Sequence, residues 1–213
     1  MARWEPGAQG RLQQAAMDLF VERGYAGTTV EDIAAQAGLT ERTFFRYFAD
    51  KREVLFGGSK DLEKLIAEAI AIAPKSSAPL DVVAAALQAT APMFEPRRAY
   101  ARKRHTLIAA HADLRERELI KLASLAVVIA ESLRRRGIAE SAVGLIAEMG
   151  IAIFKSAFQR WLEDTGQQTL SHHVRAALDE LRAVTANTSR SSGRSRTTTT
   201  SRRKRSGSRR TSL

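Results

Sequence analysis

The densest group of side chains that could bind a ligand lies in residues 97–105. Five of these nine residues carry a permanent positive charge, and they are Arg97, Arg98, Arg102, Lys103 and Arg104. Guanidinium and ammonium groups bind phosphates through charge-assisted hydrogen bonds. The same cluster also fits a solvated face that meets a neighbouring domain, and the sequence leaves both interpretations open.

Catalytic and metal-binding patterns are the next kind of chemistry to consider. The four histidines, at positions 105, 111, 172 and 173, include no pair at the four-residue spacing of an H-E-x-x-H zinc motif. We find no glycine-rich phosphate loop and no nucleophile motif. The chain has no cysteine, so thiolate metal sites and disulfides are excluded. We predict no catalytic residues, no metal site and no cofactor, and therefore no enzyme.

Positive charge is concentrated at the C-terminus. The net charge is +11, and residues 187–213 contain nine basic residues and no acidic one. The rest of this segment is mostly Ser, Thr and Gly, which cannot bury enough apolar surface to offset the entropy of ordering. We therefore predict a disordered basic tail. It either adds a salt-sensitive, sequence-independent attraction to nucleic acid or is only a solubilising end.

The rest of the chain has a helical pattern. Ala, Leu, Glu and Arg are frequent, and strand-like alternation is not sustained, so we predict an all-α fold. No run approaches the ~18 uninterrupted apolar residues expected of a membrane span, and the N-terminus lacks a signal-peptide pattern. We therefore expect a cytoplasmic protein. Helices are predicted over residues 8–23, 30–37, 41–48, 50–73, 80–91, 96–110, 113–136, 140–163 and 169–185.

The first three predicted helices surround a tight turn at residues 37–39. Thr29 and Thr40 are suitable N-caps for the second and third helices, and Asp32 completes a capping box with Thr29. Gly38 supplies the positive φ that the turn requires. This arrangement fits a helix-turn-helix, in which the second helix of the pair lies in the major groove of DNA.

The string TTVEDIAAQAGLTERTFFRYFADKREVL, from Thr28 to Leu55, resembles the N-terminal domain of the TetR family of transcriptional repressors. The resemblance covers residues 12–55, and its most specific part is the run from Gly38 through Thr43, Phe44, Phe45 and Phe48 to Lys51. The rest of the chain is similar in length and helical character only. A helix-turn-helix domain joined to a helical ligand-binding and dimerisation domain is what the resemblance implies.

The same resemblance identifies residues 40–48 as the recognition helix. Arg42 is the strongest candidate for reading a base, because a guanidinium can pair bidentately with guanine; a solvent-exposed arginine without sequence preference is the alternative. Phe45 stands where the family commonly has tyrosine, so a hydroxyl contact to phosphate is missing there. The residues expected at the DNA interface are Thr29, Thr40, Glu41, Arg42, Thr43, Phe45, Arg46, Tyr47 and Lys51.

The charge of the DNA-binding domain does not itself indicate DNA binding. Residues 1–56 hold seven basic and eight acidic residues, so affinity has to come from the placement of a few side chains. We expect domains at 1–56 (DNA-binding) and 57–186 (effector-binding and dimerisation), followed by the tail at 187–213. Phe44 and Phe48 are predicted to anchor the recognition helix in a small core.

Two C-terminal helices carry apolar stripes that fit a four-helix dimer interface. The alternative is that both stripes fill the core of the single chain. A two-fold dimer predicts a palindromic operator, because each half-site meets one recognition helix. The predicted interface residues are Leu145, Met149, Ile153, Val174, Leu178 and Leu181.

The middle helices are expected to enclose a cavity for a lipophilic effector, although apolar residues at helical spacing are more often core than pocket. The cationic cluster at 97–105 suggests an anionic head group, so acyl-coenzyme A is one candidate. The predicted pocket residues are Met93, Phe94, Arg104, Leu107, Ile108, His111, Leu125, Ile129, Phe158 and Trp161. The predicted function is a repressor that leaves a palindromic operator when the effector binds; a nonspecific DNA-binding protein is the rival.

Overall fold

The computed structural model describes residues 7–166 and 168–193, with side chains described up to residue 186. These residues form α-helices and two 3₁₀ turns and contain no β-strand, which confirms the predicted all-α fold. The 3₁₀ turns are Arg52–Phe56 and Glu95–Arg97. The helices are α1 (Ala8–Glu22), α2 (Val30–Gln36), α3 (Glu41–Tyr47), α4 (Ser59–Ile72), α5 (Pro79–Gln88), α6 (Ala91–Phe94), α7 (Arg98–Ala110), α8 (Ala112–Arg135), α9 (Glu140–Glu163) and α10 (Leu170–Gly193).

Local capping contacts set the starts of α2 and α3. The Thr29 hydroxyl accepts a hydrogen bond from the Asp32 amide at 3.1 Å, and the Asp32 carboxylate accepts one from the Thr29 amide at 2.8 Å. This is the predicted capping box. Thr40 caps α3 in the same way, with its hydroxyl 3.2 Å from the Thr43 amide nitrogen. Gly38 turns the chain between the two helices with φ of +66°, as the sequence predicts.

The predicted helix over residues 50–73 is divided into two elements. Asp50 accepts hydrogen bonds from the amides of Arg52 and Glu53 and so caps the 3₁₀ turn Arg52–Phe56. The chain then passes so close to Phe48 that a Cβ on Gly57 would lie 2.7 Å from the Phe48 ring. The prediction was wrong here because Gly57 and Gly58 end the turn, and α4 starts only at Ser59.

The core of the N-terminal helices continues into the C-terminal half. Phe44 and Phe48 are buried in it, as predicted, beside Leu12 of α1. The same cluster includes Ile108 of α7 and Leu114 of α8. Helix α3 is therefore anchored in a core that includes residues from far along the chain.

Helices α4, α5, α8 and α9 pack together as the body of the C-terminal half. Within the described residues, α9 is the one helix long and apolar enough to span a membrane by composition, and 39% of its apolar window is buried in the fold. Because α9 packs on α5 and α8, burial against these two helices explains much of its apolar character.

Helix α10 extends further than the sequence indicates. Its backbone is helical to Gly193, so residues 187–193 of the predicted disordered tail continue the helix, while 194–213 lie outside the described residues. The described residues up to Leu178 form one compact unit, and the described residues from Asp179 form a second. In the first unit, Leu170, Val174 and Leu178 are buried.

Candidate nucleic-acid interface and effector cavity

Helix α3 separates its buried and exposed residues sharply. Phe44 is fully buried, whereas Phe45 is 54% and Tyr47 is 41% exposed. Arg42 and Arg46 are also exposed on this short helix. A helix anchored on one side by Phe44 therefore presents two cations and two aromatic rings to solvent, a composition suited to phosphates and base edges.

Arg46 and Tyr47 support each other at the end of α3. The guanidinium carbon of Arg46 lies 5.0 Å from the centre of the Tyr47 ring, and an Arg46 nitrogen is 3.4 Å from the Tyr47 hydroxyl oxygen. A cation held over an aromatic face loses less conformational freedom when it meets a phosphate. These two residues can therefore act as one unit toward the DNA backbone.

The threonines expected at the DNA interface already have partners. The Thr29 hydroxyl donates to Asp32 at 2.6 Å, and the hydrogen bonds from Thr29 hold the pKa of Asp32 below its usual range. The hydroxyl oxygens of Thr40 and Thr43 are 3.1 Å apart. A phosphate has to compete with Asp32 for the Thr29 proton, whereas one hydroxyl of the Thr40–Thr43 pair can donate outward.

The ammonium group of Lys51 is already bound to backbone oxygens of the protein. Its ammonium group donates to the carbonyl oxygens of Tyr25 and Thr28, at 2.8 Å each, and lies 4.3 Å from the centre of the Tyr25 ring. Burial lowers the pKa of Lys51, while the charge of Asp113 raises it. Two of its three N–H donors hold the loop before α2, so a phosphate contact has only the third donor available.

The junction of the two halves is held by charged contacts to the 3₁₀ turn Arg52–Phe56. Arg104 of α7 donates to the Leu55 carbonyl oxygen at 2.7 Å and to Glu118 at 3.2 Å. Its guanidinium carbon lies 4.8 Å from the centre of the Phe56 ring. Burial lowers the pKa of Arg104, and the charge of Glu118 opposes that shift.

Glu53 forms the second charged link of the same turn. Its carboxylate accepts hydrogen bonds from Arg117 and, at 3.0 Å, from Lys121, both on α8. Burial raises the pKa of Glu53, but these two donors outweigh it and hold the pKa below its usual value. The turn that follows the recognition helix is therefore tied to α7 and α8 by four side chains.

A cavity of about 280 Å³ lies beside this junction. Its apolar wall is built from aromatic and aliphatic side chains of α4, α6, α8 and α9, and the Phe94 and Phe158 rings there are 5.2 Å apart. Basic side chains share the lining and outnumber two acidic ones, Glu63 and Glu118. The apolar members are Leu55, Phe56, Leu62, Met93, Phe94, Ala101, Leu122, Leu125, Phe154 and Phe158, and the basic members are Arg97, Arg104, His105, Lys121 and Lys155.

Five of the ten predicted pocket residues line this cavity. They are Met93, Phe94, Arg104, Leu125 and Phe158. The other five lie in packed regions, because helical spacing alone does not separate the core-facing side of a helix from the cavity-facing side. These five are Leu107, Ile108, His111, Ile129 and Trp161.

Each of the other five residues has a packing role in the structure. Ile108 is buried in the core that contains residues of α1 and α3, and Leu107 packs against that core. The His111 ring lies 5.1 Å from the Tyr25 ring. Ile129 is fully buried, and so is Trp161, whose indole nitrogen is 3.3 Å from a Glu95 carboxylate oxygen.

Several cavity residues were not predicted, because they come from elements that only the fold brings together. Gln13 belongs to α1, Leu55 to the 3₁₀ turn, Leu62 to α4, and Lys121 and Lys155 to α8 and α9. No sequence signal marks Lys121 and Lys155, because α8 and α9 carry other charged residues that do not line the cavity.

Two arginines of the cationic cluster bind the end of α9. Arg98 donates to the carbonyl oxygens of Trp161 and Asp164, and Arg102 donates to those of Leu162 and Asp164. These carbonyls lie at a helix C-terminus, where cations are favoured. Part of the cluster therefore stabilises the fold.

The proposed dimer residues fall into two groups. Three of them are buried within the single chain, and these are Ile153, Val174 and Leu178. Their side chains leave little surface for a partner, which fits the alternative that the stripes fill the core of the single chain. Leu145 is 67% exposed, and Met149 and Leu181 are partly exposed.

Family models match both halves of the chain. Residues 12–56 match the model described as bacterial regulatory proteins, tetR family, and residues 77–186 match the MftR C-terminal domain. The chain belongs to the TetR family. As a TetR-family protein it is a DNA-binding transcriptional regulator and not an enzyme, which confirms both predictions.

Individual relatives agree with this assignment. The TetR-family chain is 27% identical over 174 residues to the putative mycofactocin biosynthesis transcriptional regulator MftR of Mycobacterium tuberculosis, a match covering 79% of this chain and 86% of that protein. It is 35% identical over 79 residues to the HTH-type transcriptional regulator TcmR of Streptomyces glaucescens, covering 37% of this chain and only 35% of TcmR.

A solved structure extends the similarity to both halves. The TetR-family regulator FadR of Thermus thermophilus, in complex with lauroyl-CoA, is 25% identical. The match has a TM-score of 0.51 and covers 80% of this chain and 91% of FadR.

Proposed function

We propose that this TetR-family regulator is a cytoplasmic, dimeric repressor that binds a palindromic operator and is released by a ligand with an apolar chain and an anionic head group. Acyl-coenzyme A is the ligand class to test first. The observation that carries this proposal is the cavity of about 280 Å³, whose apolar wall and basic residues adjoin the turn that follows the recognition helix. The lauroyl-CoA complex of the related FadR supports the choice of ligand.

The DNA contacts proposed for α3 use the exposed residues described above. Arg42 reads a base, Thr40, Glu41, Thr43 and Phe45 lie at the groove, and the Arg46–Tyr47 pair contacts phosphate. Thr29 and Lys51 contribute to the backbone contact only to the extent that their existing hydrogen bonds permit. Each recognition helix reads one half-site of the operator.

Release from DNA is proposed to proceed through Arg104 and Lys121. Both line the cavity and both hold the 3₁₀ turn, Arg104 through Leu55 and Lys121 through Glu53. An anionic group that binds these two cations competes with the Leu55 carbonyl and the Glu53 carboxylate for them. The contacts that position the turn, and with it α3, are then weakened. The ligand must bind the DNA-incompetent state more tightly than the DNA-competent one.

Genome-wide footprinting with the purified protein identifies the operator, and fluorescence anisotropy of a labelled operator duplex then tests the effector. We expect palmitoyl-CoA to release the duplex at concentrations at which coenzyme A alone does not. If no acyl-CoA of any chain length lowers operator affinity, the effector proposal fails while DNA binding stands. Equal competition by unrelated DNA favours the nonspecific rival.

Dimerisation is tested by light scattering during size-exclusion chromatography. Leu145→Arg places a charge on the exposed side of α9 and is expected to give a monomer with lower operator affinity. Ile72→Arg is the matched control, because Ile72 is 85% exposed on α4 and outside the proposed interface. A monomeric wild-type protein contradicts the proposal.

A further inference from the structure

A second cavity, of about 320 Å³, lies between α1 and α7. Three residues, Gln13, Arg97 and Tyr100, line both this cavity and the apolar one. The two cavities therefore adjoin. The second one is the more polar of the two, because Gln14 and Lys103 join the shared polar residues in its lining beside Met17, Pro96 and Ala99.

The basic residues of this second cavity differ from their neighbours in the same cluster. Arg98, Arg102 and Arg104 all donate to protein oxygens. Arg97 and Lys103 are exposed, and within the described part of the chain no carboxylate pairs with either of them. Two unneutralised cations that border one cavity attract a phosphate more strongly than arginines already bound to carbonyl groups.

A carboxylate also lies nearby and has to be considered. Asp18 accepts a hydrogen bond from the Gln14 amide at 2.9 Å, and its charge acts on the Tyr100 hydroxyl. One such carboxylate against two cations leaves the cavity with a net positive charge. The Gln14 amide, held by Asp18, has a second N–H that can donate to a ligand.

The Tyr100 hydroxyl lies at the boundary of the two cavities without a partner. Its oxygen is buried and makes no hydrogen bond in the described structure. A buried hydroxyl without a partner is unfavourable, and an acceptor atom supplied by a ligand removes that cost. Burial raises the pKa of Tyr100, and this outweighs the charges of Arg104 and Arg97, which lower it. The Tyr100 hydroxyl therefore stays protonated and can donate a hydrogen bond.

We propose that the cavity between α1 and α7 binds the phosphorylated head group of the effector, while the apolar cavity holds its chain. Arg97 and Lys103 pair with phosphate, and Tyr100 donates to an acceptor where head and chain join. This inference rests on the proposed function and adds the place and orientation of the head group. Because α1 belongs to the DNA-binding half, the head group contacts that half directly.

The test measures binding of palmitoyl-CoA, coenzyme A and palmitate to the full chain by calorimetry. The double variant Arg97→Gln/Lys103→Gln is expected to lose at least about tenfold in palmitoyl-CoA affinity, from two charge-assisted contacts. Palmitate should lose less affinity than palmitoyl-CoA does, because only Arg97 of the two also lines the apolar cavity. The salt dependence of palmitoyl-CoA binding should decrease as well. Lys75→Gln, an exposed lysine in the α4–α5 loop, is the matched control and should bind as the wild type does.

Tyr100→Phe keeps the ring and removes only the hydroxyl. We expect palmitoyl-CoA to bind about 3- to 10-fold more weakly, the range for one lost hydrogen bond. The melting temperature of the free protein should not fall, because the removed hydroxyl has no partner in it. Equal affinity of the wild type for palmitoyl-CoA and palmitate, or wild-type affinity in the double variant, overturns the head-group site and leaves the proposed function intact. If the wild type binds none of the three probes, the proposed effector class fails, and this inference fails with it.

Discussion

The polar side chains of the helix-turn-helix and those of the apolar cavity are held by contacts of very different range along the chain. Thr40 meets Thr43, Thr29 meets Asp32, and Arg46 meets its neighbour Tyr47. At the cavity, Arg104 reaches a carbonyl 49 residues away and Lys121 a carboxylate 68 residues away.

The caps of α3 and the apolar cavity should therefore respond differently to changes in helix packing. A helix cap depends on three or four neighbouring residues, but α3 has only seven residues and also needs the burial of Phe44 and Phe48 to be stable. The cavity exists only when α4, α7, α8 and α9 are packed. Any ligand that alters this packing can therefore act on the recognition helix, whereas the caps of α3 are independent of it.

The largest expected effect comes from removing the anchor of α3. Phe44→Ala deletes a fully buried ring and should destabilise the protein by about 3–5 kcal/mol, measured by urea denaturation. Phe45→Ala is the matched control, because that ring is 54% exposed, and it should change operator affinity more than stability. Similar stability losses for both variants contradict the described orientation of α3.

A smaller effect is expected when the junction is weakened. Glu53→Gln leaves Arg117 and Lys121 without their charged partner and should cost about 1.5–3 kcal/mol of stability at pH 7. The folded-state pKa of Glu53 lies below its ordinary value of 4.5, so its contribution is complete above pH 4.5 and is lost as the pH falls through the folded-state pKa.

Urea denaturation of wild type and Glu53→Gln at pH 7 and at pH 3 tests this dependence. The difference in unfolding free energy between the two proteins should shrink at the lower pH. A difference that stays constant with pH shows that the carboxylate charge is not what stabilises the junction.

A change at the surface of α3 should affect DNA and not the fold. Arg42→Ala is expected to cost about 1–3 kcal/mol of operator binding and to relax the preference at one base pair. Competition with operators mutated at single positions measures this preference. Arg135→Ala, an exposed arginine on α8, serves as the control; if Arg42→Ala weakens binding to all sequences equally, Arg42 contacts phosphate only.

The smallest expected effect comes from the cap of α3. Thr40→Ala should cost about 1 kcal/mol of stability, with Thr40→Ser restoring most of it, because serine keeps the hydroxyl that accepts from the Thr43 amide. Thermal unfolding measures both variants. An unchanged melting temperature in Thr40→Ala shows that the fold, and not the local cap, sets the start of α3.

Features that depend on neighbouring residues were predicted correctly. Both threonine caps, the positive φ of Gly38 and the burial of Phe44 and Phe48 follow from short patterns. The division of the predicted fourth helix at Gly57 did not, since Gly57 is required by the approach of the Phe48 ring. Ile108 and Trp161, which were predicted for the pocket, do not line the apolar cavity, because an apolar residue on a helix can face either a core or a cavity.

By itself, the sequence determined the all-α class, the helix-turn-helix and its TetR resemblance, and the composition of the cationic cluster. Only the tertiary structure decided which cations of that cluster remain available. It assigns Arg98 and Arg102 to the end of α9 and Arg104 to the 3₁₀ turn, and it leaves Arg97 and Lys103 beside α1. The physical reason is that a cation's role depends on the oxygens packed around it, and those oxygens come from distant parts of the chain.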